Sequence, residues 1–231
     1  LLNVGAPIEL TDILQEAENI KAVLNISLPG QEGGHAVADV LFGEAAPGGR
    51  LTTTWAKRYE DYPSAEDFGY LNGDLETEEY KEGIYVGYRY FDSFGIRPLF
   101  PFGYGLSYTT FRIKFEGLQR TERGMDIMVS IENTGNYYSG REVVQVYVTL
   151  PQTTGAKEYQ RLVGFAKTDV LKPQEKQKLT VSIDQSYLAS YSEKLHAWFM
   201  EAGTYGIWIG NHAGSLQLAE LFEVQQQTIL E

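Results

Sequence analysis

The run Gly30-Gln31-Glu32-Gly33-Gly34 has the residue types of an anion-binding turn, and it stands between an apolar run and an amphipathic one. Glycines in such a turn free backbone N–H groups, and the dipole of a following helix attracts negative charge. The spacing is not G-x-G-x-x-G, no Gly-Lys-Ser/Thr follows, and Glu32 would repel a phosphate. The weightier reading is structural: the glycines let a helix pack closely, and Glu32 caps or complements its N-terminus. A nucleotide-binding α/β protein is the competing reading of the same loop.

The other chemistry-bearing groups are sparser. Asp74-Leu75-Glu76-Thr77-Glu78-Glu79 is rich in carboxylates, but its spacing is not that of an EF-hand loop, and it reads as a solvated face. His35, His196 and His212 are scattered, with none at the H-E-x-x-H spacing of a zinc helix. No Gly-x-Ser-x-Gly elbow occurs. Asn25-Ile26-Ser27 fits the glycosylation pattern but lies in an expected buried strand, so it is taken as chance. With no cysteine, disulfides, thiolate catalysis and Cys-based zinc sites are excluded. No metal, cofactor, catalytic residue or substrate-binding residue is assigned from these groups.

Composition adds exclusions. A net charge of −12 disfavours nucleic acid or an anionic membrane as partner. No apolar run approaches the roughly 18 residues of a membrane span. At 231 residues the chain has room for one large or two modest domains with cores of their own. Compartment is left unassigned.

The elements that would position these groups fall into two kinds. Leu1-Leu2-Asn3-Val4-Gly5 reads as the tail of a buried strand entering a turn, so the chain is expected to be a piece of a larger protein. Pro7 to Ala17 is expected to hold a short helix, with Thr11 or Asp12 as cap. Ala22 to Leu28 is expected as a buried parallel strand. A helix should follow over Gly33 to Phe42, with Ala36, Val37, Val40 and Leu41 on one face and Gly43 as its C′ residue. Regular periodicity then fades between about Pro47 and Thr110, where Gly, Pro, Tyr and Phe dominate; aromatics in that number suggest a pinned arm, not a disordered linker. From Phe111 on, alternation returns at Met125 to Ile131, Val144 to Val148, Leu179 to Ile183, Gly203 to Gly210 and Leu216 to Val224. Short turn signals separate these runs, and Trp198 and Trp208 are expected in the core or between sheets. The expected fold class is therefore α/β, a partial doubly wound sheet, followed by an all-β fibronectin-III-like (immunoglobulin-like) sandwich. The domains are placed at 1–58, 59–110 (the connecting arm) and 111–231.

Three longer motifs carry a family resemblance. They are Gly30 to Gly43 with Pro47-Gly48-Gly49-Arg50-Leu51, then Tyr80 to Asp92, then Pro101 to Phe111; the similarity continues at Asn133-Thr134-Gly135 and Gly140 to Val148. In this order and spacing the chain resembles glycoside hydrolase family 3, the β-glucosidase family, over nearly its whole length. It departs from the family where Thr52 follows Leu51 and Ala56 follows Trp55.

The resemblance implies a retaining enzyme built from a TIM-type barrel, an α/β sandwich and a fibronectin-III-like domain. It also implies that the nucleophilic Asp stands on the barrel, and that the acid/base Glu lies in a loop before the position of Leu1. Neither maps onto this sequence, so this portion is expected to support the enzyme and to be inactive alone. Its partner would be the remainder of the same enzyme, and the substrate a β-glucoside. The resemblance leaves open whether the barrel precedes or follows this segment. A non-catalytic carbohydrate-binding or structural sandwich module is the alternative reading.

Overall fold

The structure, a computed structural model, describes residues 1–153 and 155–230, without the side chains of Tyr70 and Asn72. It divides into two compact units, Leu1–Gly105 and Leu106–Glu231.

In the first unit, Leu2 pairs in parallel with Asn25: the Leu2 N–H donates to Leu24 O at 2.8 Å, and the Ile26 N–H donates to Leu2 O at 2.9 Å. The expected buried strand at Ala22 to Leu28 is thus reduced to one bridge, and Val23 and Leu28 are exposed. A parallel strand is buried only when layers cover both its faces, and within this unit Leu2 is its one strand partner. Helix α1 (Thr11–Glu16) is shorter than expected and has no side-chain cap. Leu10, at the N-cap position, is buried instead. Thr11 and Asp12, the expected caps, reach across to the segment at 57–58: Thr11 Oγ1 donates to Lys57 O at 2.7 Å, and Asp12 accepts from Arg58 at 3.1 Å. Helix α2 (Gly33–Leu41) ends at Phe42, and Gly43 takes the expected left-handed conformation with φ of 78°. Ala36 and Leu41 of its apolar face are exposed.

The aromatic stretch is tied down by backbone pairing. Trp55 bridges Phe100, Leu51 N–H donates to Tyr104 O, and Gly103 N–H donates to Leu51 O. Arg50 donates to Gly105 O. Helix α3 (Tyr88–Ser93) sits within it and buries Phe91, whose ring meets Tyr62 edge-on at 5.9 Å. Tyr88 lies against Phe102 at 5.5 Å, and Trp55 is buried against Phe100 at 6.3 Å.

The second unit is a sandwich. One sheet has the order β1 (Phe111–Thr121), β2 (Gly124–Asn133), β5 (Lys176–Asp184); the other has the order β4 (Arg161–Lys167), β3 (Val143–Thr149), β8 (Gly203–His212), β9 (Ser215–Val224). All pairs are antiparallel. Strand β2 shows why the sequence folds this way. Met125, Ile127, Val129 and Ile131 alternate into the core, while Asp126, Ser130 and Glu132 take the other face. Val144, Val146 and Val148 of β3 and Ile207 and Ile209 of β8 meet them from the facing sheet. A small third sheet has the order β10 (Thr228–Leu230), β7 (Ala197–Met200), β6 (Ser190–Ser192). Every segment read as a strand after Phe111 lies in one. The tryptophans divide: Trp208 is half-buried and donates from its indole nitrogen to Thr149 Oγ1 at 3.2 Å, but Trp198 on β7 is exposed, contrary to expectation. On β7 it alternates with Phe199, which is the buried one of the two.

Candidate functional site

The glycine loop resolves into local packing. A Cβ on Gly33 would lie 2.6 Å from Pro29 Cβ, so this glycine is required by a close approach to the preceding turn; Gly30 and Gly34 face open space. Glu32 occupies the N-cap position, but its side chain makes no cap bond. It pairs with His35 Nδ1 at 2.6 Å in an exposed contact. Two alanine substitutions in one helix turn should therefore differ in sign. Gly34→Ala is expected to stabilise by up to about 1 kcal/mol through helix propensity. Gly33→Ala, forced against Pro29, is expected to destabilise by about as much or more. Thermal melts of the two variants check this, and a stabilised Gly33→Ala would sink the packing account.

The acidic cluster organises its own loop. Asp74 accepts from the Glu76 N–H at 2.8 Å and from the Thr77 hydroxyl. These bonds, the Thr77 hydroxyl foremost, hold the Asp74 carboxyl below its usual range. Glu78 accepts from the Gly69 N–H at 3.0 Å, and Lys81 pairs with Asp67 at 2.6 Å. Among the described residues no three His, Asp or Glu side chains are grouped as a metal site. The three histidines are not brought together either: His35 is on α2, His196 is in the β6–β7 turn with φ of 50°, and His212 ends β8. In the would-be sequon, Asn25 Oδ1 accepts from its own Ser27 N–H at 3.1 Å.

A cluster of buried charged groups lies elsewhere, around the β3–β4 loop. Lys157 and Glu201 form an ion pair with side chains 4% and 5% exposed. Lys157 also donates to Pro151 O at 2.8 Å, and Thr153 Oγ1 donates to Glu201 at 2.8 Å. Glu158 pairs with Arg161 at 2.6 Å. Arg161 goes on to donate to the backbone carbonyls of Tyr187 and Ala189. Tyr205 donates to Glu201 O at 3.1 Å, and burial pushes its phenol up to about 12. Sequence reasoning passed over these residues because Lys-Glu in a loop looks like solvated surface; no local pattern announces a partner at Glu201. The cluster is bonded internally and fixes a loop. Its described residues hold no arrangement of nucleophile and base.

Two family models match this chain. Residues 1–88 match the glycosyl hydrolase family 3 C-terminal domain, and residues 142–213 match the fibronectin type III-like domain. The chain belongs to glycoside hydrolase family 3. A β-glucosidase of Ruminococcus albus is 40% identical over 100% of this family 3 chain, which covers 24% of that protein. Thermostable β-glucosidase B of Acetivibrio thermocellus is 37% identical over 97% of the chain, which covers 29% of it. Among solved structures, a β-glucosidase from Paenibacillus barengoltzii superposes with a TM-score of 0.92 at 36% identity, over 99% of this chain and 26% of its own. β-Glucosidase 3B from Thermotoga neapolitana, solved in complex with α-D-glucose, gives 0.90 at 36% identity, over 100% of this chain and 31% of its own. The family 3 chain thus spans between about a quarter and a third of the length of these relatives.

Proposed function

We propose that residues 1–231 are the C-terminal supporting part of a retaining β-glucosidase that releases terminal β-linked glucose, or a related sugar, from β-glucosides. The observation that carries this is the full-length alignment of the chain with the C-terminal portion of β-glucosidases, through two domains in the family's order. Retaining hydrolysis needs two carboxyls about 5–5.5 Å apart, one as nucleophile and one as acid/base. In this reading both come from outside residues 1–231, and the partner is the remainder of the enzyme. Residues 1–58 complete its α/β sandwich, residues 59–110 act as the connecting arm, and residues 111–231 form the fibronectin-III-like domain.

The test is an assay on 4-nitrophenyl β-glucoside. Purified residues 1–231 are expected to give no turnover above buffer, because binding contacts cannot replace the nucleophile and the acid together. The full-length enzyme is expected to hydrolyse it with retention. Turnover by the 231-residue chain overturns the placement of the catalytic carboxylates. An inactive full-length enzyme overturns the activity itself.

A further inference from the structure

Trp198 is the one tryptophan of this chain that stands mostly in solvent. Its residue is 54% exposed, against 4% for Trp55, and Trp208 is half-buried. A bare indole on a folded domain leaves apolar area in water, at a cost that sequence change could remove. The residue is also held firmly. It lies on β7, the central strand of its sheet, paired with β6 on one side and β10 on the other. Its register partner Tyr191, itself 51% exposed, meets the indole edge-on, with centroids 5.6 Å apart and planes at 64°. An edge-to-face neighbour fixes a ring's orientation while leaving most of its face open. The β6–β7 turn adds exposed Glu193, Lys194 and His196 beside it, all able to hydrogen-bond.

We propose that Trp198, buttressed by Tyr191, is a stacking platform for a β-linked gluco-oligosaccharide, an accessory sugar site on the fibronectin-III-like domain. The chemistry narrows the occupant. A pyranose offers a face of C–H groups that packs on an aromatic ring and a rim of hydroxyls that reaches polar neighbours. A nucleic acid or an anionic bilayer would also meet an exposed indole, but the chain's charge of −12 opposes both. A stable protein partner needs roughly 800 Å² on each side, far more than two aromatic side chains present. A preorganised ring pair loses little conformational freedom on binding, which suits a weak ligand such as a neutral sugar. The choice of a β-linked glucan as ligand rests on the β-glucosidase reading above.

The experiment is a fluorescence titration of the 231-residue chain with cellotetraose, with maltotetraose as the α-linked control. A saturable change in tryptophan emission is expected with cellotetraose. Trp198→Ala is expected to abolish it, and Tyr191→Ala to weaken binding about tenfold, the size of one lost aromatic contact. Trp208→Phe is expected to leave the apparent affinity unchanged, and far-UV circular dichroism controls for folding in each variant. No saturable change in the parent chain, or the same affinity in Trp198→Ala measured calorimetrically, overturns the proposal. An equal response to maltotetraose overturns the β-glucan assignment. A change that depends on protein concentration assigns the patch to self-association and overturns it as well. None of these outcomes touches the aryl-glucoside assay, so the two readings fail separately.

Discussion

Replacing Lys157 with alanine is expected to destabilise the chain by about 3–5 kcal/mol, the cost of stranding a buried carboxylate. Glu201 is 5% exposed at its side chain and loses its charge partner in that variant, while the bond from the Thr153 hydroxyl stays. Glu201→Ala should cost a similar amount, because Lys157 is 4% exposed at its side chain and would lose its charge partner. The double replacement Lys157→Met with Glu201→Leu is expected to cost far less than either single change. Removing both charges also removes the expense of drying them, and similar volumes keep the packing. Denaturant unfolding of the four proteins, with an unchanged m-value as the sign of an unchanged fold, reads out the cycle. If the single costs simply add in the double variant, the pair is not coupled and the ion-pair account fails. The loop that the pair anchors also carries Glu158, which pairs with Arg161 at the start of β4; Arg161 in turn binds the turn before β6, so loss of stability should spread to that hairpin. Proteolysis near residue 190 would show it.

The sandwich was legible because alternation is a direct physical signature. Met125 to Ile131 and Leu179 to Ile183 put apolar residues on one face, and a register slip would expose all of them. Helix α2 was legible from its spacing and from Gly43, which the C′ position demands. Ala22 to Leu28 was less so. An apolar run states that a strand wants cover, and whether it has cover depends on neighbours elsewhere in space. The shortening of α1 has a comparable cause: Thr11 and Asp12 could serve as caps, but long-range bonds to Lys57 and Arg58 claim them. Trp198 was misplaced because β-propensity favours tryptophan in strands without saying which face meets water. As for a reaction site, the sequence offered glycines, carboxylates and histidines in patterns too loose to assemble one. The structure puts them to use in packing and loop bonding.

Asn133 carries the other large expected effect. It is fully buried at the end of β2 and joins three segments. Its Oδ1 accepts from Thr109 Oγ1 at 2.5 Å and from the Gly135 N–H at 3.1 Å; its Nδ2 donates to Tyr138 O and Leu171 O, both at 2.9 Å. Asn133→Ala takes this partner from four groups, of which the Thr109 hydroxyl and the Leu171 carbonyl are in buried contacts and the Gly135 N–H and Tyr138 carbonyl in part-buried ones. At about 1–3 kcal/mol for each group left unsatisfied, and with some relaxation, a loss of about 3 kcal/mol or more is expected. Asn133→Asp is nearly isosteric and separates shape from bonding. One carboxylate oxygen can keep both accepted bonds, but the other faces two carbonyl oxygens and has nothing to donate. Burial and those carbonyls raise the folded-state pKa of the new acid above its unfolded value of about 3.9. The sign follows: the penalty is smallest below that unfolded value, where the acid is protonated in both states and can donate to one carbonyl. It grows as pH rises toward the folded value and levels off above it. Unfolding of the parent and Asn133→Asp proteins at a series of pH values should show the stability gap narrowing on acidification. A gap that widens as pH falls would mean that the donors of Asn133 do not hold the Tyr138 and Leu171 carbonyls in the way described.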